Sequence, residues 1–177
     1  MQFVPTSVDG AMIVELEGHS DARGYFARTF CEDEFAKAGI AMRIVQTNIS
    51  RNPRVHTLRG MHYQAEPHGE PKLVQCVRGR IYDVAVDLRP ESPTYRKWSA
   101  VELGPENNRL FYIPPGCAHG FLTLEPDSDI VYLMGAVFVA GSGRGVRWDD
   151  PAFAIEWPAV PDEISQRDAD YPDFKRE

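Results

Sequence analysis

The sequence predicts an all-β protein, an antiparallel sandwich or barrel with few and short helices. Runs rich in β-branched and aromatic residues follow one another at close spacing. Glycines and prolines, 14 of each, punctuate those runs at irregular intervals. Almost no helical pattern falls between them, whereas a parallel βαβ sheet needs a crossover of about a dozen residues or more after each strand.

Taken in order, strands are expected at 25–30, 43–50, 60–64, 72–78, 80–88, 98–103, 110–113, 120–124 and 130–139. The clearest lies within 81–88. There Tyr82, Val84, Val86 and Leu88 alternate with Ile81, Asp83, Ala85 and Asp87, a period of two. One helix is expected at 32–38, stopped by Gly39, and a second short one after Pro161. The run Gly141-Ser142-Gly143-Arg144-Gly145 opens no helix, so it reads as a hairpin loop and not a dinucleotide-binding turn. Residues 1–177 show no linker, repeat or low-complexity segment and read as one domain with a loosely held polar tail at 171–177.

Bulk properties narrow the function classes. A chain of 177 residues buries a substantial core without staples. Cys31, Cys76 and Cys117 are odd in number and widely spread, which argues against a disulfide framework and for a reducing cytoplasm. Net charge is −7, so a broad nucleic-acid surface is not expected, although a focused basic pocket can still hold a polyanion. The start MQFVPTSVDG lacks the basic and apolar regions of a signal peptide. The longest apolar run, 130–140, is too short to span a bilayer, so no membrane partner is expected.

Two stretches carry chemistry. In Leu58-Arg59-Gly60-Met61-His62-Tyr63-Gln64, a strand directs His62 and Gln64 to one face and Met61 and Tyr63 to the other. Lys72, Val74 and Cys76 share a face of the next strand, so a His, an Arg and a Lys can converge inside a barrel and hold an anionic substrate. The second stretch is Pro114-Pro115-Gly116-Cys117-Ala118-His119-Gly120-Phe121, a tight turn before a strand bearing a histidine. It is similar to the second motif of the cupin superfamily. Gln64 stands where a metal-binding cupin has its second histidine, and Thr123 where an Asn is common. That leaves too few ligands for a first-row metal, and none is expected. Read singly, these residues have plainer roles: Tyr132 a core aromatic, Asp168 a surface charge or helix cap, Asp83 a partner of His119 or a solvent-facing carboxylate.

Over nearly its whole length the chain resembles the dTDP-4-dehydrorhamnose 3,5-epimerases. The resemblance rests on Asp21-x-Arg23-Gly24-Tyr25-Phe26, Gln46-x-Asn48-x-Ser50, the segment 58–64, Lys72-Leu73-Val74 and Asp83-Val84-x-Val86-Asp87-Leu88-Arg89. It continues through Ser92-Pro93-Thr94-Tyr95, Ala118-His119-Gly120-Phe121, Tyr132, Trp148-x-Asp150-Pro151, Ile155-x-Trp157-Pro158 and Ser165-x-x-Asp168. It implies a cupin fold, that is, a double-stranded β-helix or jelly roll, and a cofactor-free epimerase acting on a nucleotide-diphosphate sugar. By the same resemblance His62 is the base alpha to a ketone, Asp168 orients it, Tyr132 is the opposing acid and Lys72 stabilises the enolate. Arg59, His119 and Arg167 contact the diphosphate, while Arg23, Gln46 and Asn48 hold the nucleoside end. A homodimer is implied, with N-terminal strands completing the partner's sheet.

The resemblance breaks at the base-reading half. Arg28 replaces the family's Glu, Phe138 replaces a stacking Tyr, and Gly143 falls where a further Glu contacts the nucleotide. Phe138 retains a ring that stacks, but Arg28 reverses a charge, so GDP and CDP join dTDP as candidate nucleotides. A cupin 3,4-ketoisomerase and a non-catalytic nucleotide-sugar-binding cupin are the alternatives.

Overall fold

In the computed structural model, which describes residues 1–175, most of the expected strands appear within a few residues of their predicted bounds. In chain order the elements are β1 (Gln2–Pro5), β2 (Met12–Glu15), β3 (Gly18–Asp21), β4 (Gly24–Ala27), α1 (Glu32–Lys37), β5 (Gln46–Asn52), β6 (Thr57–Gln64) and β7 (Lys72–Arg78). They continue with β8 (Ile81–Asp87), β9 (Trp98–Leu103), β10 (Arg109–Ile113), β11 (Cys117–Thr123), β12 (Ser128–Met134), β13 (Gly143–Gly145), β14 (Glu163–Ile164) and α2 (Gln166–Ala169).

One sheet runs β1-β2-β10-β7-β12-β5 and the other β13-β6-β11-β8-β9, with β14 added to β6 in parallel. The remaining pairs are antiparallel, and β3–β4 forms a separate hairpin. The two sheets face each other across a core that includes Val74, Cys76, Ile81, Ala85, Phe111, Phe121 and Ile130, in the jelly-roll manner. Burying each large apolar side chain there contributes about 1.5–3 kcal/mol.

The period-two pattern of β8 sorts its residues as expected. Ile81 and Ala85 enter the core between the sheets, while Val84 and Val86 pack outward with Met61, Val146 and Phe153. On β7, Val74 and Cys76 point inward and Leu73 outward, where α1 covers it. Phe35 of α1 is fully buried against Phe3, Phe30 and Tyr112, with ring centroids 5.0, 4.8 and 6.3 Å away.

Four expectations are corrected. The strand read at 130–139 ends at Met134, because β7 ends at its partner Lys72 and Pro71, next along, has no N–H to continue the ladder. The glycine run read as a hairpin loop contains β13, which pairs with β6 through Gly143↔Gln64 and Gly145↔His62. Strands β1, β2 and β3 had no predicted counterpart, since Pro5 and Gly18 interrupt so short a pattern. The tail is held as far as it is described: the Phe174 N–H donates to Asp150 at 2.6 Å, its ring packs on Phe153, and Arg147 pairs with Asp173 at 2.6 Å. Residues 176 and 177 of that segment lie outside the described residues.

Candidate active site

One cavity of about 670 Å³ opens between the two sheets, lined by Asn48, Arg59, His62, Lys72, His119, Tyr132, Arg167 and Asp168 among others. Sheet register explains the convergence. Tyr132 lies opposite Asn48 on one side and Val74 on the other, and His119 lies opposite His62. Strict alternation would send Arg59 and His62 to opposite faces. A shift in register between β6 and β11, from His119↔His62 to Phe121↔Arg59, returns both to the cavity. Glycine makes the shift feasible: Gly60 has φ +133°, and a Cβ there would meet Gly120 Cα at 2.5 Å.

His62 is one-third exposed, and its Nε2 lies 2.7 Å from Asp168 Oδ1. Asp168 is buried on α2, whose first turn is capped by the Ser165 hydroxyl accepting from the Asp168 N–H at 3.2 Å. Its other oxygen accepts from the Gly60 N–H at 3.2 Å, and Arg167 Nε donates to Oδ1 at 3.2 Å. Burial pushes the Asp168 carboxyl up, but the hydrogen bond and charge of His62, with the Gly60 and Arg167 donors, outweigh it and hold the group at about 2. It is therefore an anion aimed at the histidine. An Arg167 guanidinium nitrogen also lies 3.0 Å from His62 Nε2.

The opposite wall belongs to the other sheet. Burial raises the Tyr132 phenol above its ordinary value and the buried Asp83 adds to this, while Arg59 and a Ser50 hydrogen bond pull it back. Lys72 is buried, 3.0 Å from Glu70 and within 3.5 Å of the His62 carbonyl. His119 Nε2 lies 2.7 Å from Asp83, and Arg59 Nε donates to Asn52 Oδ1 at 2.8 Å.

The remaining predicted residues lie outside the cavity lining. Gln46 donates to Asn48 Oδ1 at 3.1 Å and accepts from the Phe138 N–H at 3.2 Å, which ties Phe138, 64% exposed, to the rim. Arg28 pairs with Glu34 at 2.7 Å and Arg23 with Asp21 at 2.6 Å, both exposed on or beside the β3–β4 hairpin. Gln64 is spent as a clamp. Its oxygen accepts from the Val139 N–H and the Ser142 hydroxyl, and its nitrogen donates to Glu70 at 3.0 Å. Among the described residues no three His, Cys, Asp or Glu side chains are grouped to hold a metal ion.

Sequence reasoning missed Glu70, Asn52 and Tyr171. Glu70 balances the buried Lys72, and Asn52 anchors Arg59. The Tyr171 ring stands 6.3 Å from His62, edge to face, over the space that Gly145 leaves open. None sits in a motif, because each acts through a fold-dependent contact.

Comparison with known proteins identifies the family. The family model for dTDP-4-dehydrorhamnose 3,5-epimerase matches residues 5–176. A dTDP-4-dehydrorhamnose 3,5-epimerase of Methanothermobacter thermautotrophicus is 47% identical over 158 residues, 89% of this chain and 84% of the relative. A Streptomyces niveus relative, 36% identical over 96% of this chain and 82% of its own, is a dTDP-4-dehydrorhamnose 3-epimerase. The crystal structure of the Bacillus anthracis 3,5-epimerase with TDP and PPi bound superposes with a TM-score of 0.94 at 34% identity, covering 98% of this chain and 99% of that one. With its motifs, its two facing sheets and these matches running end to end, the chain belongs to the dTDP-4-dehydrorhamnose 3,5-epimerase family.

Proposed function

We propose that this protein inverts C3, C5 or both in a nucleotide-linked 4-keto-6-deoxy sugar, by moving protons at carbons next to the ketone. The observation that carries the reading is that His62 and Tyr132 line one cavity from opposing sheets, His62 on β6 and Tyr132 on β12. Groups on opposite walls can address opposite faces of a sugar ring. His62, paired with Asp168, removes the alpha proton, and the electron pair moves onto the 4-keto oxygen as an enolate. Lys72 offers that oxygen a preorganised cation. The enolate collapses with uptake of the Tyr132 proton on the far face, which inverts the carbon with no net oxidation. Solvent exchange then returns Tyr132 to the phenol and His62 to the free base. Arg59, His119 and Arg167 hold the diphosphate, and Asn48 and Gln46 face the nucleoside end.

In the same reading the active unit is a homodimer. Phe26 is 77% exposed and Tyr25 47% on a hairpin that carries Arg23, so the hairpin of one copy reaches the cavity rim of the other. No helix of the described residues is long and apolar enough to cross a membrane, and three cysteines stand free, which fits a cytoplasmic enzyme.

Incubating the chelator-treated protein with dTDP-4-keto-6-deoxyglucose in deuterated water, followed by proton NMR, tests the reading. Loss of signal at C3 and C5 is expected of a double epimerase and loss at one carbon of a single epimerase. His62→Asn is expected to slow exchange by about 10²- to 10⁴-fold. No exchange with dTDP, GDP or CDP forms of the sugar would overturn the proposal.

A further inference from the structure

Asp83 occupies a place where β8 otherwise turns apolar residues inward. Ile81 and Ala85, its neighbours on that face, belong to the core, and the Asp83 side chain is fully buried. One carboxylate oxygen lies 2.7 Å from His119 Nε2. The other, Oδ2, has no hydrogen-bond partner among the described residues. An ionised carboxylate so placed is costly, and burial does push its pKa up while His119 and Lys72 pull it back. The fold carries this cost beside a residue that lines the cavity.

We propose that Asp83 is a positioning residue that holds His119 as its Nε2–H tautomer, so that Nδ1 faces the cavity and gains a proton when a diphosphate binds. The inference rests on the reading above that this cavity takes a nucleotide diphosphate.

The chemistry follows from donor and acceptor counts. An ionised Asp83 only accepts, so in that state its 2.7 Å partner is the protonated ring nitrogen. In a neutral imidazole the other nitrogen is then a lone pair, which repels a phosphate oxygen. A second proton converts it into a charge-assisted donor. The groups that face His119 decide when this proton arrives. They are Asp83 on β8, which Lys72 and Cys76 of β7 lie close enough to act on, and, lining the same cavity, Arg59 and His62 on β6, Lys72 on β7 and Tyr132 on β12. Arg59 and Lys72 oppose another positive charge in the empty cavity. An incoming diphosphate reverses that balance and leaves the imidazolium between two anions. Because the complex binds more protons than the free protein, diphosphate affinity is greatest at low pH.

The test is calorimetric titration of the full chain with dTDP, at about pH 8, in buffers of different ionisation enthalpy. Uptake of about one proton per dTDP is expected. His119→Asn and Asp83→Asn are each expected to abolish it. For Asp83→Asn the substrate KM should rise about 10- to 100-fold with kcat changed far less, since the pair touches the diphosphate and not the reacting carbons. Nitrogen-15 NMR of His119 should report Nε2–H alone in the free protein and both N–H groups in the complex. Binding without proton uptake, uptake that survives either substitution, or an Nδ1–H tautomer in the free protein overturns the inference while leaving the epimerase reading intact. If dTDP does not bind, the same counts are taken with pyrophosphate, and failure of both ligands overturns the site reading and this inference together. Should Asp83→Asn not fold, the wild-type proton count and the nitrogen-15 spectrum still decide.

Discussion

At the scale of single residues, two carboxylates keep their charge while buried, Asp168 in the cavity wall and Asp87 at the end of β8 away from it. Asp168 and Asp87 are both held at about 2. For Asp87, burial acts to raise the value, but Arg89 Nε at 2.8 Å, the Ser92 hydroxyl at 2.5 Å and the Thr94 hydroxyl at 2.6 Å outweigh it. A carboxylate whose folded pKa lies below its unfolded value of about 4 stabilises the fold above that pH, and the contribution disappears as pH falls toward 2. Each group is worth about 2 kcal/mol by this reckoning. Urea denaturation between pH 5 and pH 2 should therefore show stability falling steeply below about pH 4. Asp168→Asn should make that slope shallower and also slow the proton exchange, whereas an unchanged slope would mean that Asp168 titrates alike in both states.

At the scale of elements, the join between β6 and β11 does the most for the site. Gly60 and Gly120 let the two strands approach where the register shifts, and the same join brings Arg59 and His62 to one face. Gly60→Ala places a Cβ against backbone at a φ that side chains avoid, so β6 must move. We expect a loss on the order of 3 kcal/mol or more in chemical denaturation. Nucleotide affinity should fall further than unfolding alone accounts for, because Arg59 moves with the strand. Wild-type stability in Gly60→Ala would show that the approach has slack. The element β14–α2 plays the complementary part: parallel pairing of β14 with β6 brings Ser165, and through its cap Asp168, against His62.

At the scale of the whole molecule, the β3–β4 hairpin stands apart. It pairs with neither sheet, exposes Tyr25 and Phe26, and keeps Arg23 bonded to its own Asp21. In the proposed homodimer that hairpin covers a second copy. Phe26→Asp should then shift sedimentation velocity from dimer to monomer and weaken dTDP binding together. Monomeric wild-type protein, or a dimer indifferent to Phe26→Asp, would remove the hairpin from the active unit.

Much of this architecture was legible from local pattern. The alternation in β8, the turn at Pro114–Gly116, and the ordered motifs around His62, Lys72, His119 and Tyr132 are short-range features, and each constrains the backbone within a few residues of itself. Motif order also identified the family. Tertiary structure decided the rest, because it depends on partners far along the chain. Asp168 meets His62 across 106 positions and Asp83 meets His119 across 36. The register shift that turns Arg59 inward needs Gly120, and the fit of Tyr171 beside His62 needs Gly145. A sequence declares which residues carry charge and which strands they ride on. Which charge lies within hydrogen-bond reach of which histidine is settled only when the two sheets close on each other.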